Sequence, residues 1–262
     1  MQRFIRTIDC QKHDPQTRRK QPFRVARFVF FYQSDSADKG LIDSIIDKAE
    51  RLANKVNPGA ANHAAQKRNY VRILNNCVAG LLAEHLWKSY LNKDRELVVE
   101  TPFDGAKSQI DLRIITNGKK IEVRSSFPRN GIEFALCSST HEFDVIGMYS
   151  NGYKPDEVQK DYYVRALFHL RKLEDWTTPD GKTVPVIEKI MDKIKTDGFE
   201  AWLTGGATWD MMLDDTIAIH KNFIPEDEIN IERLHEATSY RVVPFSRALD
   251  TVEMGEVIGA GI

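Results

Sequence analysis

Hydrophobic and polar positions change rhythm several times along this chain, and each change marks an element. The run FRVARFVFFY from Phe23 to Tyr32 is dense in aromatic and β-branched residues and predicts a strand. From Ser36 to Lys55, Leu41, Ile42, Ile45, Ile46, Ala49, Leu52 and Ala53 recur at helical spacing with Asp and Lys between them, which predicts an amphipathic helix with one buried stripe. Asn57-Pro58-Gly59 breaks that helix, and a polar connector leads to a more apolar helix over Tyr70 to Leu91. At about 100° per residue, Ile73, Cys77, Gly80, Trp87 and Leu91 of this helix all fall within roughly 60° of Glu84. A carboxylate in an apolar stripe is costly unless something positive meets it: a neighbouring Lys or Arg, or a metal ion.

From Glu96 the texture shortens to ELVVE, QIDLRII, a TNGKK turn and KIEVRSS. Asn117-Gly118 between two alternating runs predicts a hairpin with a type I′ turn. Alternation puts Ile110, Leu112 and Ile114 on one face of the first strand and Asp111 and Arg113 on the other. On the second strand Ile121 and Val123 point inward, with Lys120, Glu122 and Arg124 opposite. Further strands are expected at Phe143 to Tyr149 and Tyr162 to Leu170, and short helices at Ile132 to Cys137 and from Pro185 to about Thr196. The C-terminal stretch containing WLTGGATWDMM, IAIHKNF and YRVVPFS reads as short strands and loops without a clear period. These elements imply a single domain of mixed α and β type over residues 1–262. Its core lies at about 70–170, with 1–69 and 171–262 as elaborations.

Composition narrows the class. With 262 residues, 42% hydrophobic and 29% charged, the chain can bury a substantial core, which excludes disorder and a disulfide miniprotein. Lys and Arg number 37 against 38 Asp and Glu, so any face for an anionic partner must arise by local segregation. Cys10, Cys77 and Cys137 are odd in number and widely spaced, which suggests a reducing compartment. With no span of about eighteen apolar residues and no apolar leader in MQRFIRTIDC, the expected place is the cytoplasm, away from membranes.

The chemistry concentrates in the hairpin. Asp111 and Glu122, eleven positions apart across a turn, can meet on one face. Two carboxylates side by side repel unless a cation joins them, and Mg²⁺ uses one or two carboxylates together with water and substrate phosphate. Lys120 and Arg124 flank that position, as a phosphate would require. The competing reading is a solvated face on which Asp111 pairs with Arg124 and Glu122 with Arg113. The scattered histidines show no zinc spacing, and Gly205-Gly206 lacks the strand-turn-helix context of a phosphate loop.

Taken with the preceding helix, QIDLRI and IEVRSS resemble the PD-(D/E)XK nuclease superfamily, to which most type II restriction endonucleases belong. The resemblance covers about Tyr70 to Tyr149 and implies a restriction-endonuclease-like α/β core, a mixed central sheet flanked by helices. It implies Glu84, Asp111 and Glu122 as ligands of Mg²⁺, with Mn²⁺ as a substitute, and Asp111, Glu122, Arg124 and Lys120 as catalytic residues. Two departures stand out: Arg124 occupies the usual Lys position, and no Pro precedes Asp111. A guanidinium stabilises developing charge but hardly removes a proton, which leaves Lys120 as an alternative ammonium.

The implied activity is hydrolysis of double-stranded DNA to 5′-phosphate ends by a homodimer matched to palindromic sites. The alternative is a binding module that keeps the fold without cleavage. Candidate DNA contacts are Arg18, Arg19, Lys20 and Lys107 to phosphates, Ser125 and Ser126 beside a cleft, and Arg129 and Asn130 to base edges.

Overall fold

The structure, a computed structural model, describes residues 1–10, 21–30, 37–56, 70–102, 110–128, 131–137, 143–150, 158–169, 187–190, 192, 198–223 and 238–260. Its first element precedes the first strand that the hydrophobic pattern predicts. Strand β1 (Gln2–Cys10) pairs antiparallel with β2 (Gln21–Phe30), Arg3 opposite Phe28 and Ile8 opposite Phe23. Two of its arginines lie on aromatic rings: Arg3 is 5.8 Å from the Tyr90 ring centre and Arg6 5.7 Å from that of Trp202. Cation–π contact lets a charged strand lie against apolar neighbours.

The chain continues through α1 (Ala37–Ala53), α2 (Tyr70–Leu91), β3 (Val98–Glu100), β4 (Leu112–Ile114), β5 (Lys120–Ser126), α3 (Ile132–Cys137), β6 (Val145–Ser150) and β7 (Tyr162–His169). A helical segment, α4 (187–190), precedes β8 (Phe199–Thr208), α5 (Trp209–Leu213), β9 (Ile219–Phe223), β10 (Thr238–Val243) and α6 (Thr251–Ala260). Seven strands form one sheet in the order β1-β2-β8-β7-β5-β4-β3, and β6-β10-β9 form a smaller one. Within the larger sheet only β5 and β7 run parallel. The fold is therefore α/β, a mixed sheet flanked by helices. Strands β1, β2 and β8 come from outside residues 70–170, so both end segments help build the main sheet.

Alternation along the strands divides the core between the two faces. Ile42, Ile45 and Ala49 of α1, Leu82, Leu86 and Trp87 of α2, and Met254 and Ile258 of α6 pack on Leu112, Ile121, Val123 and Val164. On the opposite face Ile132 and Leu136 of α3, Met212 of α5 and Val145 and Val243 of the small sheet pack on Val25, Tyr163, Leu167 and Trp202. Each Val, Leu, Ile or Met among them contributes about 1.5–3 kcal/mol on burial.

The C-terminal stretch is more regular than its sequence suggested, because β8 runs unbroken through WLTGGAT with nearly every residue buried. A strand buried on both faces has no polar alternation to announce it. Gly205, with φ +78°, and Gly206 let neighbouring backbones close in: an added Cβ would lie 2.0 Å from the Leu249 carbonyl oxygen and 2.3 Å from that of Tyr163. The expected hairpin forms between β4 and β5, Leu112 opposite Ile121 and Arg113 opposite Lys120. Its loop is wider than a two-residue turn. Ile114 N–H donates to Lys119 C=O at 2.9 Å, and Gly118 N–H, with φ +71°, donates back to Ile114 C=O at 3.0 Å.

Cys77 is buried in the core, whereas Cys137 is disulfide-bonded, so the cysteines do not behave as the uniformly reduced set that their spacing suggested. Among the described residues no helix is long and apolar enough to cross a membrane.

Candidate active site

Continuing the hairpin register by one position sets Asp111 opposite Glu122. Both side chains are withdrawn from solvent, Asp111 at 7% and Glu122 at 6% exposure. The Val123 N–H donates to Asp111 Oδ2 at 2.7 Å, so backbone from the second strand fixes the carboxylate of the first. Burial and the neighbouring charge of Glu122 push the Asp111 carboxyl up to about 7, against the opposing pull of that hydrogen bond and of Arg124 and Lys160. Burial, more than the neighbouring acid, keeps a proton on this carboxyl near neutrality.

Glu122 holds a cation at each oxygen. Arg124 Nη2 lies 2.8 Å from Oε1, and Lys160 Nζ lies 3.1 Å from Oε2, with no well-formed hydrogen bond to Oε2 among the described residues. The Lys160 side chain is 1% exposed. Pairing with a carboxylate is what makes so deeply buried an ammonium tolerable. The backbone explains how it gets there. Asp161 N–H donates to Lys120 C=O at 2.9 Å, and Lys120 N–H donates to Asp161 Oδ2 at 2.8 Å, clamping the entry of β7 onto that of β5. Lys160 precedes that clamp by one residue.

Sequence reasoning passed over Lys160 because QKDYYV shows only a lysine ahead of an apolar strand. The signal lies in topology, in the parallel pairing of β7 beside β5. Lys120, put forward for this role, has no side-chain ion pair or hydrogen bond among the described residues and does not reach Glu122.

Glu84 lies on the α2 stripe as expected, with Ile73, Cys77, Trp87 and Leu91 buried around it. It has no ion pair among the described residues. Burial, then the charges of Asp111, Glu100 and Glu122, push its carboxyl well above the ordinary range, and Lys48 opposes them. That lysine is committed to Glu100 at 3.6 Å, which Lys88 also approaches at 3.4 Å. Glu84 thus feels the charge of the hairpin acids, but no group of three His, Cys, Asp or Glu among the described residues is gathered as a metal site. The donor set that remains, Asp111 and Glu122, still suits Mg²⁺, which needs only one or two carboxylates besides water and phosphate.

The same face extends past Arg124 to a second arginine. Arg165, the register partner of Arg124 on β7, is 3% exposed. Its Nε donates to the Phe143 C=O at 3.0 Å and its Nη2 to Ser126 Oγ at 2.9 Å. Burial, followed by the like charge of Arg124, lowers its guanidinium to about 10. Ser125, the register partner of Ala166, is half-buried, and alternation turns it to the face opposite Arg165. The other proposed nucleic-acid contacts, Arg18, Arg19, Lys20, Lys107, Arg129 and Asn130, lie outside the described residues.

Comparison with known proteins adds one relative. The chain is 24% identical over 254 residues to Uncharacterized protein MJECS01 of Methanocaldococcus jannaschii, covering 88% of this chain and 86% of that protein. No family model matches the chain, and no solved structure matches it.

Proposed function

We propose that the protein is a Mg²⁺-dependent nuclease of restriction type that hydrolyses phosphodiester bonds of double-stranded DNA. The observation that carries this reading is the cross-strand pair of Asp111 and Glu122, buried beside Arg124 and Lys160 at the junction of β4, β5 and β7. Asp111 and Glu122 would hold the metal, with Glu84 adding negative charge from α2. Such a metal, when bound, lowers the pKa of a water and offsets phosphate charge.

The chain's own residues account for the rest. Val123 N–H orients Asp111, and Arg124 and Lys160 hold Glu122 in place and face the developing charge on the phosphate. Lys160 thereby supplies, from the segment leading into β7, the ammonium that the resemblance to PD-(D/E)XK nucleases expects two residues after Glu122. Cleavage would leave 5′-phosphate ends, and a two-fold dimer would cut both strands. A cytoplasmic location belongs to the same proposal, with the Cys137 disulfide weighing against it, since reducing cytoplasm seldom sustains one outside hyperthermophiles.

A second reading has its own support. Both oxygens of Glu122 are already held by cations, as in a site that has given up its metal and become a nucleic-acid or protein-binding module. Calorimetric titration with Mn²⁺ separates the two. A nuclease binds the ion and loses it on Asp111→Asn, and it nicks plasmid DNA in Mg²⁺ or Mn²⁺. Absence of both binding and cleavage on unmodified and modified DNA sinks the enzyme reading.

A further inference from the structure

The two arginines that share the hairpin face are more than a single carboxylate clamp requires. Arg124 and Arg165 are register partners on adjacent parallel strands, and alternation sends both to the face opposite Val123 and Val164, which lie in the core. Adjacent strands lie about 4.8 Å apart, so the two guanidiniums are placed for joint contact with one small anion. Arg165 is also tethered. Phe143 C=O takes its Nε and Ser126 Oγ takes one amino group, while Nη1 has no hydrogen-bond partner among the described residues. The Arg124 side chain keeps 20% exposure, so the pair opens at that end rather than being sealed in.

The charges are arranged to match: Arg124 and Lys160 are committed to Glu122 at the acidic end of the face, whereas Arg165, with Asp144 nearby, lies beyond them along the strand, away from Asp111 and Glu84.

We propose that Arg124 and Arg165 together bind one phosphate of a polynucleotide backbone beside the reacting phosphodiester, with Ser126 orienting Arg165. The phosphate-binding part stands on the geometry of the two strands, whereas the polynucleotide as its source rests on the nuclease reading. Fluorescence anisotropy of a labelled DNA duplex with the full chain in Ca²⁺, repeated over a range of salt, tests it. Arg165→Gln is expected to weaken binding about tenfold and to flatten the dependence of log Kd on log salt by about one phosphate's worth, while Arg165→Lys keeps the slope.

Unchanged affinity and slope in a folded Arg165→Gln variant would overturn the inference and leave the nuclease reading standing. Where that variant does not fold, Arg165→Lys decides: weaker binding at unchanged slope supports the clamp, and unchanged affinity overturns it. If the wild-type chain binds no DNA and cuts none, the nuclease reading fails separately. Inorganic phosphate then serves as probe: a rise in melting temperature for wild type and not for the variant sustains the anion site, and no rise overturns it.

Discussion

Asp111→Asn should stabilise the metal-free protein at alkaline pH, the opposite of what removing a buried hydrogen-bonded carboxylate ordinarily does. Asn keeps an oxygen for the Val123 N–H and removes the charge that Glu122 and burial oppose. The folded carboxyl titrates at about 7 against 3.8 for the free group, so its ionisation well above neutrality works against folding by about 4 kcal/mol.

The sign follows from the raised value. The native state holds its proton more tightly than the unfolded chain, so wild-type stability increases as pH falls through 7 and levels off below the unfolded pKa. From pH 8 to pH 5 this group alone contributes about 3 kcal/mol. Glu84, also raised, acts in the same direction, whereas His85, lowered by burial, acts against it below its ordinary value. The difference between wild type and Asp111→Asn removes what both proteins share. Urea denaturation at pH 5, 7 and 8.5 measures it, with the variant's advantage largest at 8.5 and much reduced at 5. Mn²⁺ at about a hundred times its Kd should then raise wild type at pH 8.5 by about 2.7 kcal/mol and leave the variant unmoved. Equal stability differences at all three pH values would refute the charge-crowding argument.

Three further outcomes can be checked directly. Lys160→Met removes one of the two cations on Glu122 and should cost about 3 kcal/mol by denaturant unfolding, together with most of any cleavage activity; an unaffected cleavage rate would remove Lys160 from the site. Arg124→Lys restores an ammonium two residues after Glu122 and should preserve or raise Mg²⁺-dependent cleavage, measured as initial nicking rate against pH; complete loss would show that the guanidinium itself is required. Gly205→Ala places a Cβ against the Leu249 carbonyl at positive φ and should lower stability by at least about 3 kcal/mol, read as a fall in melting temperature, whereas a small effect would mean that α6 and its preceding turn can shift.

What the sequence made legible, it did through period and punctuation. Helix α2 spans Tyr70–Leu91 and α3 spans Ile132–Cys137 as read, because an apolar stripe and a flanking glycine set those limits locally. The β4–β5 pairing followed from alternation around Asn117-Gly118, although the closing pair Ile114 and Lys119 lies beyond the two-residue turn that this dipeptide favours. Strand β1 was hidden because arginine counts as polar in a pattern yet Arg3 and Arg6 lie on aromatic rings. Strand β8 was hidden for the opposite reason, having no polar face to give it a period. Asp111 and Glu122 were visible because a hairpin is a local object. Lys160 and Arg165 were not, because only the pairing of β7 with β5 brings them there.

That pairing also explains why cations collect at this position. In the antiparallel β4–β5 hairpin, the register that brings Asp111 to Glu122 sends successive positions apart in sequence and fills the face with the hairpin's own acids and bases. A parallel neighbour instead advances in step: Glu122 beside Tyr163, Arg124 beside Arg165, Ser126 beside Leu167. Its side chains therefore repeat the spacing of β5 and extend the face along the strand direction. The entry of β7 presents Lys160 to Glu122 and its middle presents Arg165 to Arg124, so the carboxylates at one end grade into paired guanidiniums at the other. A chain that carries nearly equal numbers of acidic and basic residues thus acquires a local polarity from strand order alone. That gradient is what a metal-bound phosphodiester, positive at one end and anionic along its backbone, would complement.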